Sequence, residues 1–502
     1  MKQTQILLIG ILLLASFLRF YKIDTIPHGL YIDEISISYN AYTILTKGVD
    51  EYGVAHPLFF KAFGEYKMPV TIYLTSASMS VFGKNEFAVR FPSAFFGTLT
   101  VLLLYCLIQI LFKNKRIALL SAFLLAISPW HLQFSRGEFE ATIALFFYLL
   151  GIFFFLKFRD HKQFRLLIWS GLSFVITFYT YNAYKMITPL TVIVGVVYLA
   201  SAFAQFRRKL WIFSLGICVL ALPVFLFSGG NNRFFETSAF SEYGHVSFLQ
   251  KCFVYPMIYL RNYLSYFSLP FLFVTNDGFG RHTVVGMGPL FRFELPLFLV
   301  GVCALWRQKK EFGVRVIGFL LCIAPMAASL AVPSPHALRS LLMVVPLTII
   351  VSYGVVAFWE KKNKISKVLF ISFTLFALYE YGLYLHLYYT HYPLRTALDW
   401  GGEYKQVIAE AQKRQKQYPQ IVVNSSIGMM PLYSNFYAPS LHYLFVGYNW
   451  QKPASWHNKK VLYITGENTK KDHYLQRIPH THLQDIHFSN LNHDTFARFW
   501  EL

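Results

Sequence analysis

A chain of 502 residues that is 55% hydrophobic and only 14% charged departs from a soluble globular protein, where about a quarter of the residues carry charge. The net charge of +21 does not point to nucleic acid, because the basic residues stand in short clusters between apolar runs. They read as topology signals and as contacts to anionic lipid headgroups.

Aromatic residues make up 19% of the chain, a heavy share even for a membrane protein, and part of them belongs at the membrane–water interfaces. Cys106, Cys218, Cys303 and Cys322 fall inside apolar runs and Cys252 lies alone. With no CxxC pair, neither a zinc site nor a disulfide framework is expected.

A crossing needs about 20 mostly apolar residues. Stretches of that kind fall at 4–21, 91–112, 117–134, 141–158, 166–182, 186–204, 210–228, 290–306, 314–332, 338–359 and 367–388. The first follows Lys2, lacks an A-x-A cleavage site and is closed by Arg19 and Lys22, so it reads as a retained helix rather than a signal peptide. The even-numbered stretches are followed by basic clusters: Lys113, Lys115 and Arg116; Lys157, Arg159, Lys162 and Arg165; Arg207, Arg208 and Lys209; Arg307, Lys309, Lys310 and Arg315; Lys361, Lys362, Lys364 and Lys367. Positive residues stay in the cytoplasm. The N-terminus is therefore predicted inside, with 22–90, 229–289 and 389–502 outside, in a multi-pass protein of the plasma membrane. The tail changes character. Glu403 to Tyr418 reads as an amphipathic surface helix, Ile421–Val423 and Val461–Ile464 as buried strands, and Gly401-Gly402 as a helix-entry turn.

The chemistry is sought in the outer segments. Asp33 and Glu34, in GLYIDEISISYNAY, are adjacent acids just beyond the first crossing. Neighbouring residues on a helix diverge, so one can face a site while the other makes a structural contact. A carboxylate desolvated beside the membrane suits a general base, and an acid at a helix start is the plainer reading. HPLFFKAFGEYKMPVTIYL at 56–74 has an amphipathic, aromatic look suited to lying in the interface, with Lys61 and Lys67 either holding a lipid phosphate or snorkelling. Arg136, Glu138 and Glu140 stand between two apolar runs, where charge is costly unless paired or functional. Lys185, His336 and Arg339 also occupy outer ends, against the positive-inside bias, and an anionic headgroup is one reason for them. The arginines are the better phosphate candidates, through bidentate geometry. His245 reads as a solvated loop histidine. No His/Asp/Glu spacing amounts to a metal site, and a divalent metal is the one cofactor left open.

GLYIDEISISYNAY at 29–42, DEYGVAHPLFFKAFGEYKMPVTIYL at 50–74, NEFAVRFPSAFFGTL at 85–99 and ISPWHLQFSRGEFEATIALFF at 127–147 together resemble bacterial GT-C glycosyltransferases. They are similar to the protein O-mannosyltransferase family and to the lipid A aminoarabinose transferases. SPHALRSL at 334–341 adds a weaker match. Together with the apolar runs and the character of the tail, the resemblance leads to the expectation of an all-α polytopic membrane protein of GT-C fold with about eleven transmembrane helices over 1–388 and a small extracytoplasmic α/β domain at 389–502. It implies a polyprenyl-phosphate sugar donor, an extracytoplasmic acceptor, Asp33 as catalytic base and Glu34 as its assistant. It places Glu138 near the acceptor or the donor headgroup. Here the second motif is Gly-Glu-Phe-Glu rather than an Asp-Glu pair, so Glu138 and Glu140 both stand as candidates. The donor phosphate is assigned to Arg339, Arg136, Lys67 and Lys185, as the outward cations. The rival reading, a transporter or flippase of lipid-linked sugars, calls for midplane ionisable groups and inverted repeats. The acids stand at the outer ends and no repeat is evident.

Overall fold

The computed structural model describes residues 2–227, 237–244, 247–360, 364–447, 450–456, 459–466, 480–487 and 495–502. His245, Lys361 and Lys362 lie outside the described residues. Among the described residues eight helices are long and apolar enough to cross a bilayer: Lys2–Phe20, Glu86–Phe112, Glu140–His161, Tyr184–Ala202, Ala204–Phe227, Phe312–Leu330, Leu341–Trp359 and Lys367–Arg395. Lys115–Ile127 and Pro129–Ser135 form one further crossing bent by 57°. The break has a local cause: Ser128 leaves helical geometry, and Pro129 restarts the helix as its first residue. Phe164–Phe178 and Glu294–Arg307, with 15 and 14 residues, are shorter than the bilayer core. The expected eleven is thus reached only by counting the bent pair once and both short helices as crossings.

Asparagine caps start two of these helices. Asn85 takes the Ala88 N–H, and Asn114 takes those of Arg116 and Ile117. Large apolar side chains project from the bundle, as at Trp211, Leu215, Leu222 and Phe225 on Arg207–Phe227. That is the pattern of helices solvated by lipid rather than water. Phe248–Ser265, inside the segment 229–289, leaves Leu249, Phe253, Met257, Leu260 and Leu264 exposed. This apolar stripe suits a helix lying in the interface.

The segment 56–74 is not a single amphipathic surface element. Phe60–Ala62 (β1) and Glu65–Lys67 (β2) pair antiparallel. Phe63 and Gly64 both have positive φ, 52° and 79°, which makes the tight hairpin turn. Pro69 then opens the helix Pro69–Phe82.

The C-terminal stretch folds as a five-stranded mixed sheet. Gln420–Asn424 (β3), Leu444–Val446 (β4), Val461–Gly466 (β5), Thr481–His487 (β6) and Thr495–Glu501 (β7) lie in the order β4-β3-β5-β7-β6. The first three run parallel, and β7 and β6 are antiparallel. Helix Gly402–Arg414 buries Val407, Ile408 and Ala411 in a core shared with Ile35, Ile37 and Ile72 of the first outer segment. The sheet and that segment are therefore packed as one body.

Two glycines set the closest helix crossing. A Cβ on Gly301 would overlap the Ile350 carbonyl, and one on Gly354 the Leu297 carbonyl, so Glu294–Arg307 and Val344–Trp359 touch backbone to backbone. Gly354→Val should lower the melting temperature of the purified protein by several degrees, equivalent to at least ~1–3 kcal/mol of overpacking. Gly318→Ala, which meets no atom within 4 Å, should melt at the parental temperature or above. Equal melting of parent and Gly354→Val would refute the close crossing.

Candidate functional site

A cavity of about 840 Å³ opens among the segment 22–90, the loop 276–286, the starts of Glu140–His161 and Tyr184–Ala202 and the ends of Ala204–Phe227 and Phe312–Leu330. Asp33, Lys67, Glu140, Lys185 and Arg339 line it, with Arg281, His282 and His336. Asp33 reaches it because the helix Ile32–Lys47 begins at Ile32, directly after the extended Tyr31. Its carboxylate takes a 2.6 Å bond from the Lys67 ammonium. Lys67 closes the β1–β2 hairpin and is almost buried. Burial alone would lower the pKa of that ammonium, but the Asp33 and Glu140 carboxylates outweigh it and hold the value above the ordinary one. Lys67 is therefore charged throughout the physiological range.

Glu34 points the other way and does not line the cavity. It is fully buried against Arg90, with Oε1–Nε at 2.9 Å and Oε2–Nη2 at 3.1 Å. The same carboxylate accepts the backbone N–H groups of Tyr31 and Glu138. The divergence of adjacent helical residues is realised here, one acid in the cavity and one in the frame.

Arg136 and Glu138 also lie outside the cavity lining. The Arg136 guanidinium is buried and donates to the carbonyls of Leu18, Tyr21 and Ile26 and to the Tyr388 hydroxyl. Its donors are absorbed by the end of the first helix, the irregular chain after it and the Tyr388 hydroxyl, so it offers no fork to a phosphate. Glu138 accepts from Thr75 Oγ1 at 3.2 Å. Burial, reinforced by nearby Glu34, pushes its carboxyl well above the usual range. Of the two glutamates in the second motif, Glu140 is the one in the cavity.

Three groups escaped the sequence reading. Arg281 lines the same cavity as Arg339, and it falls in the stretch 229–289 that the charge pattern predicts to be outside. Its guanidinium lies 5.1 Å from the centre of the Tyr31 ring and donates to the Asp399 carbonyl. Arg90 sits in a stretch that was matched but not singled out. Asp277, His282 and His336 converge although no local spacing announces them, because His336 comes from a different outer segment. Burial, then the neighbouring His282 and Arg339, drive the His336 pKa down to about 2, so it is neutral.

The architecture matches solved enzymes of one class. The chain has a GT-C fold. ArnT from Cupriavidus metallidurans, in a crystal structure with undecaprenyl phosphate, superposes with a TM-score of 0.58 at 12% identity, covering 98% of this chain and 97% of that one. The Archaeoglobus fulgidus oligosaccharyltransferase gives 0.54 at 14% identity over 86% of this chain and 64% of its own. In sequence, the family model for dolichyl-phosphate-mannose-protein mannosyltransferases matches residues 66–227. An undecaprenyl phosphate-alpha-4-amino-4-deoxy-L-arabinose arabinosyl transferase 2 of Pseudomonas fluorescens is 29% identical over 167 residues, 32% of this chain and 28% of its own length. The chain thus resembles the GT-C glycosyltransferases in fold along nearly all its length and in sequence over its N-terminal part.

The two adjacent acids differ in what their loss removes. Glu34→Gln strips the buried Arg90 of its charge partner and should destabilise the protein by ~3–5 kcal/mol. Asp33→Asn, at a carboxylate one-third exposed, should change stability by no more than ~1 kcal/mol. Thermal unfolding of both in one detergent decides. A Glu34→Gln protein as stable as the parent would show that the pair is not the anchor.

Proposed function

We propose that this chain transfers a sugar from a polyprenyl-phosphate donor to an acceptor at the outer membrane surface, inverting the anomeric carbon. The acceptor class is protein, lipid or cell-envelope glycan. The observation that carries the reading is the joint lining of one cavity by the acids Asp33 and Glu140 and the cations Lys67, Lys185, Arg281 and Arg339. The ArnT structure of the same fold holds undecaprenyl phosphate, which supports a donor of that class here.

In this reading the acceptor X–H enters beside Asp33. Its lone pair attacks the anomeric carbon from the face opposite the phosphate. Its proton passes to the Asp33 carboxylate as the new X–C bond forms. The bond from the anomeric carbon to the phosphate oxygen breaks, and its electron pair leaves on polyprenyl phosphate. The extra negative charge falls on oxygens next to Lys67, Arg281 and Arg339, where fixed cations in a confined site stabilise it. A phosphate leaves readily, so no strong general acid is needed. Lys67 serves twice: it neutralises Asp33 in the resting protein and moves to the phosphate when donor binds. Glu140, in the same cavity, keeps the ammonium charged during that exchange. Glu34, Glu138 and Arg136 act as frame, and the transfer domain corresponds to 1–388 with the tail 389–502 supporting its outer wall. A flippase of lipid-linked sugars finds no particular support in this geometry.

Turnover of a polyprenyl-phosphate sugar in nanodiscs tests the assignment. Asp33→Asn should slow it by ~10²–10⁴ with donor affinity little changed. Lys67→Met and Arg339→Lys should instead weaken donor binding, since a guanidinium fork is not replaced by an ammonium. Near-parental turnover by Asp33→Asn, or release of no polyprenyl phosphate by the parent, would defeat the reading.

The chemistry also requires a face. With the N-terminus in the cytoplasm, the tail lies outside. In a background free of native cysteines, Ser440→Cys should react with an impermeant maleimide on intact spheroplasts and Lys113→Cys only after lysis. Both positions are exposed. The reverse pattern would put the cavity on the cytoplasmic side and overturn the orientation.

A further inference from the structure

One wall of the cavity carries two imidazoles, with a buried carboxylate beside them, that the transfer chemistry leaves without a task. Asp277 Oδ2 and His282 Nδ1 are 2.6 Å apart, and both side chains are almost wholly buried. His336 arrives from the other outer segment, its ring centre 4.7 Å from that of His282. One ligand atom from each of the three lies within 4.8 Å of the others.

The carboxylate is fixed before any ligand binds. Its Oδ2 also accepts the Ala337 N–H at 2.7 Å, which ties it to the residue after His336, and its Oδ1 accepts the Phe279 N–H. Phe279 packs on both imidazoles, and Phe134 meets His282 edge-on. The back of the cluster is therefore apolar, while His282 and His336 line the open cavity. An Asp277–His282 ion pair explains two of the three groups. It gives no reason for a second buried imidazole against the first, since His336 receives only a long 3.4 Å contact from the Arg339 N–H. The nearby guanidinium groups are drawn elsewhere: Arg281 to the Tyr31 ring and the Asp399 carbonyl, Arg339 to the Val332 carbonyl.

We propose that Asp277, His282 and His336 bind one divalent transition-metal ion of the zinc type, with its open coordination position facing the cavity. Two histidines and one carboxylate are a three-ligand set that leaves zinc a fourth position. Metal–ligand bonds of about 2.0–2.2 Å need only a small spreading of the Asp277–His282 contact. An ion here would offer that position to an anionic oxygen in the cavity. This last step, not the binding itself, rests on the sugar-transfer reading.

The test uses the full-length protein in detergent, stripped with a chelator, reloaded with Zn²⁺, desalted and analysed for metal. The parent should hold about one zinc per chain, in line with a single three-ligand site. Cobalt loading of the parent should give the visible bands of a low-symmetry four-coordinate site, a readout that needs no variant. His336→Asn and His282→Asn should weaken zinc by at least ~10-fold. His482→Ala, which removes the His482–Asp485 pair on the tail sheet, should leave it unchanged. Substoichiometric zinc with no cobalt bands in the parent would overturn the proposal, and so would full zinc retention in His282→Asn and His336→Asn. Zinc bound by a protein that transfers no sugar would leave the metal site standing and remove the transfer. Sugar transfer by a parent that binds no zinc would do the reverse.

Discussion

The buried pair of Arg90 and Glu34 is the constraint on which the cavity end of the molecule depends. Neither side chain exposes any surface, and a charge so placed is strongly unfavourable without a full set of partners. Arg90 meets that demand by donating to both Glu34 oxygens and to the carbonyls of Ile23, Pro27 and Gly29. A residue of the helix Glu86–Phe112 thereby gathers the irregular chain that leaves the first crossing. Glu34 in turn takes the N–H groups of Tyr31 and Glu138, so the second acidic motif hangs from the same carboxylate. The pair fixes where Ile32–Lys47 begins. The start of that helix fixes which way Asp33 faces, since successive helical residues point about 100° apart.

The C-terminal stretch completes this frame. Gly29 and Gly402 approach so closely that a Cβ on either would meet the other strand of chain, and Gly29 has a positive φ of 87°. Tyr433 donates to the Leu30 carbonyl at 2.6 Å, and Lys405 bonds Glu86 beside the Asn85 cap. Trp400 lies against Tyr31, Phe139 and the Arg90 guanidinium. Through Asp399, whose carbonyl accepts from Arg281, the same turn reaches the loop of the cavity wall. The tail sheet thus bears on the cavity by positioning its walls, although none of its strands lines it.

Apolar length carried most of the crossings in the sequence, because that signal is local. Helix ends were less legible. The stretch 166–182 stops as a helix at Phe178, and 290–306 begins only at Glu294, since the turns flanking them contain residues as apolar as the helices. The hairpin at 60–67 was hidden because its aromatic residues also satisfy an interfacial pattern, and only the Phe63-Gly64 turn separates the two. For the site, local chemistry could nominate outward cations but not sort them. Arg136 and Arg339 present the same anomaly in sequence. What separates them is the carbonyls of residues 18–26, brought to Arg136 from over a hundred residues away. The Asp277, His282 and His336 cluster is non-local in the same sense.

The cations of the outer half divide by the kind of oxygen that meets them. Arg19, Arg90 and Arg136 are buried, and backbone carbonyls take most of their donors. Carbonyls are fixed in the chain, so these contacts cannot be exchanged without unfolding the segment that supplies them. Lys67 is met instead by the Asp33 carboxylate, a single side chain on the cavity surface. An ammonium is a point charge with three rotatable donors, so a phosphate can replace the carboxylate as its partner with little rearrangement of the backbone. The rigid arginines and the exchangeable lysine are complementary for that reason: Arg90, through Glu34, fixes where the helix carrying Asp33 begins, and Lys67 can trade its carboxylate partner for another anion without disturbing that frame.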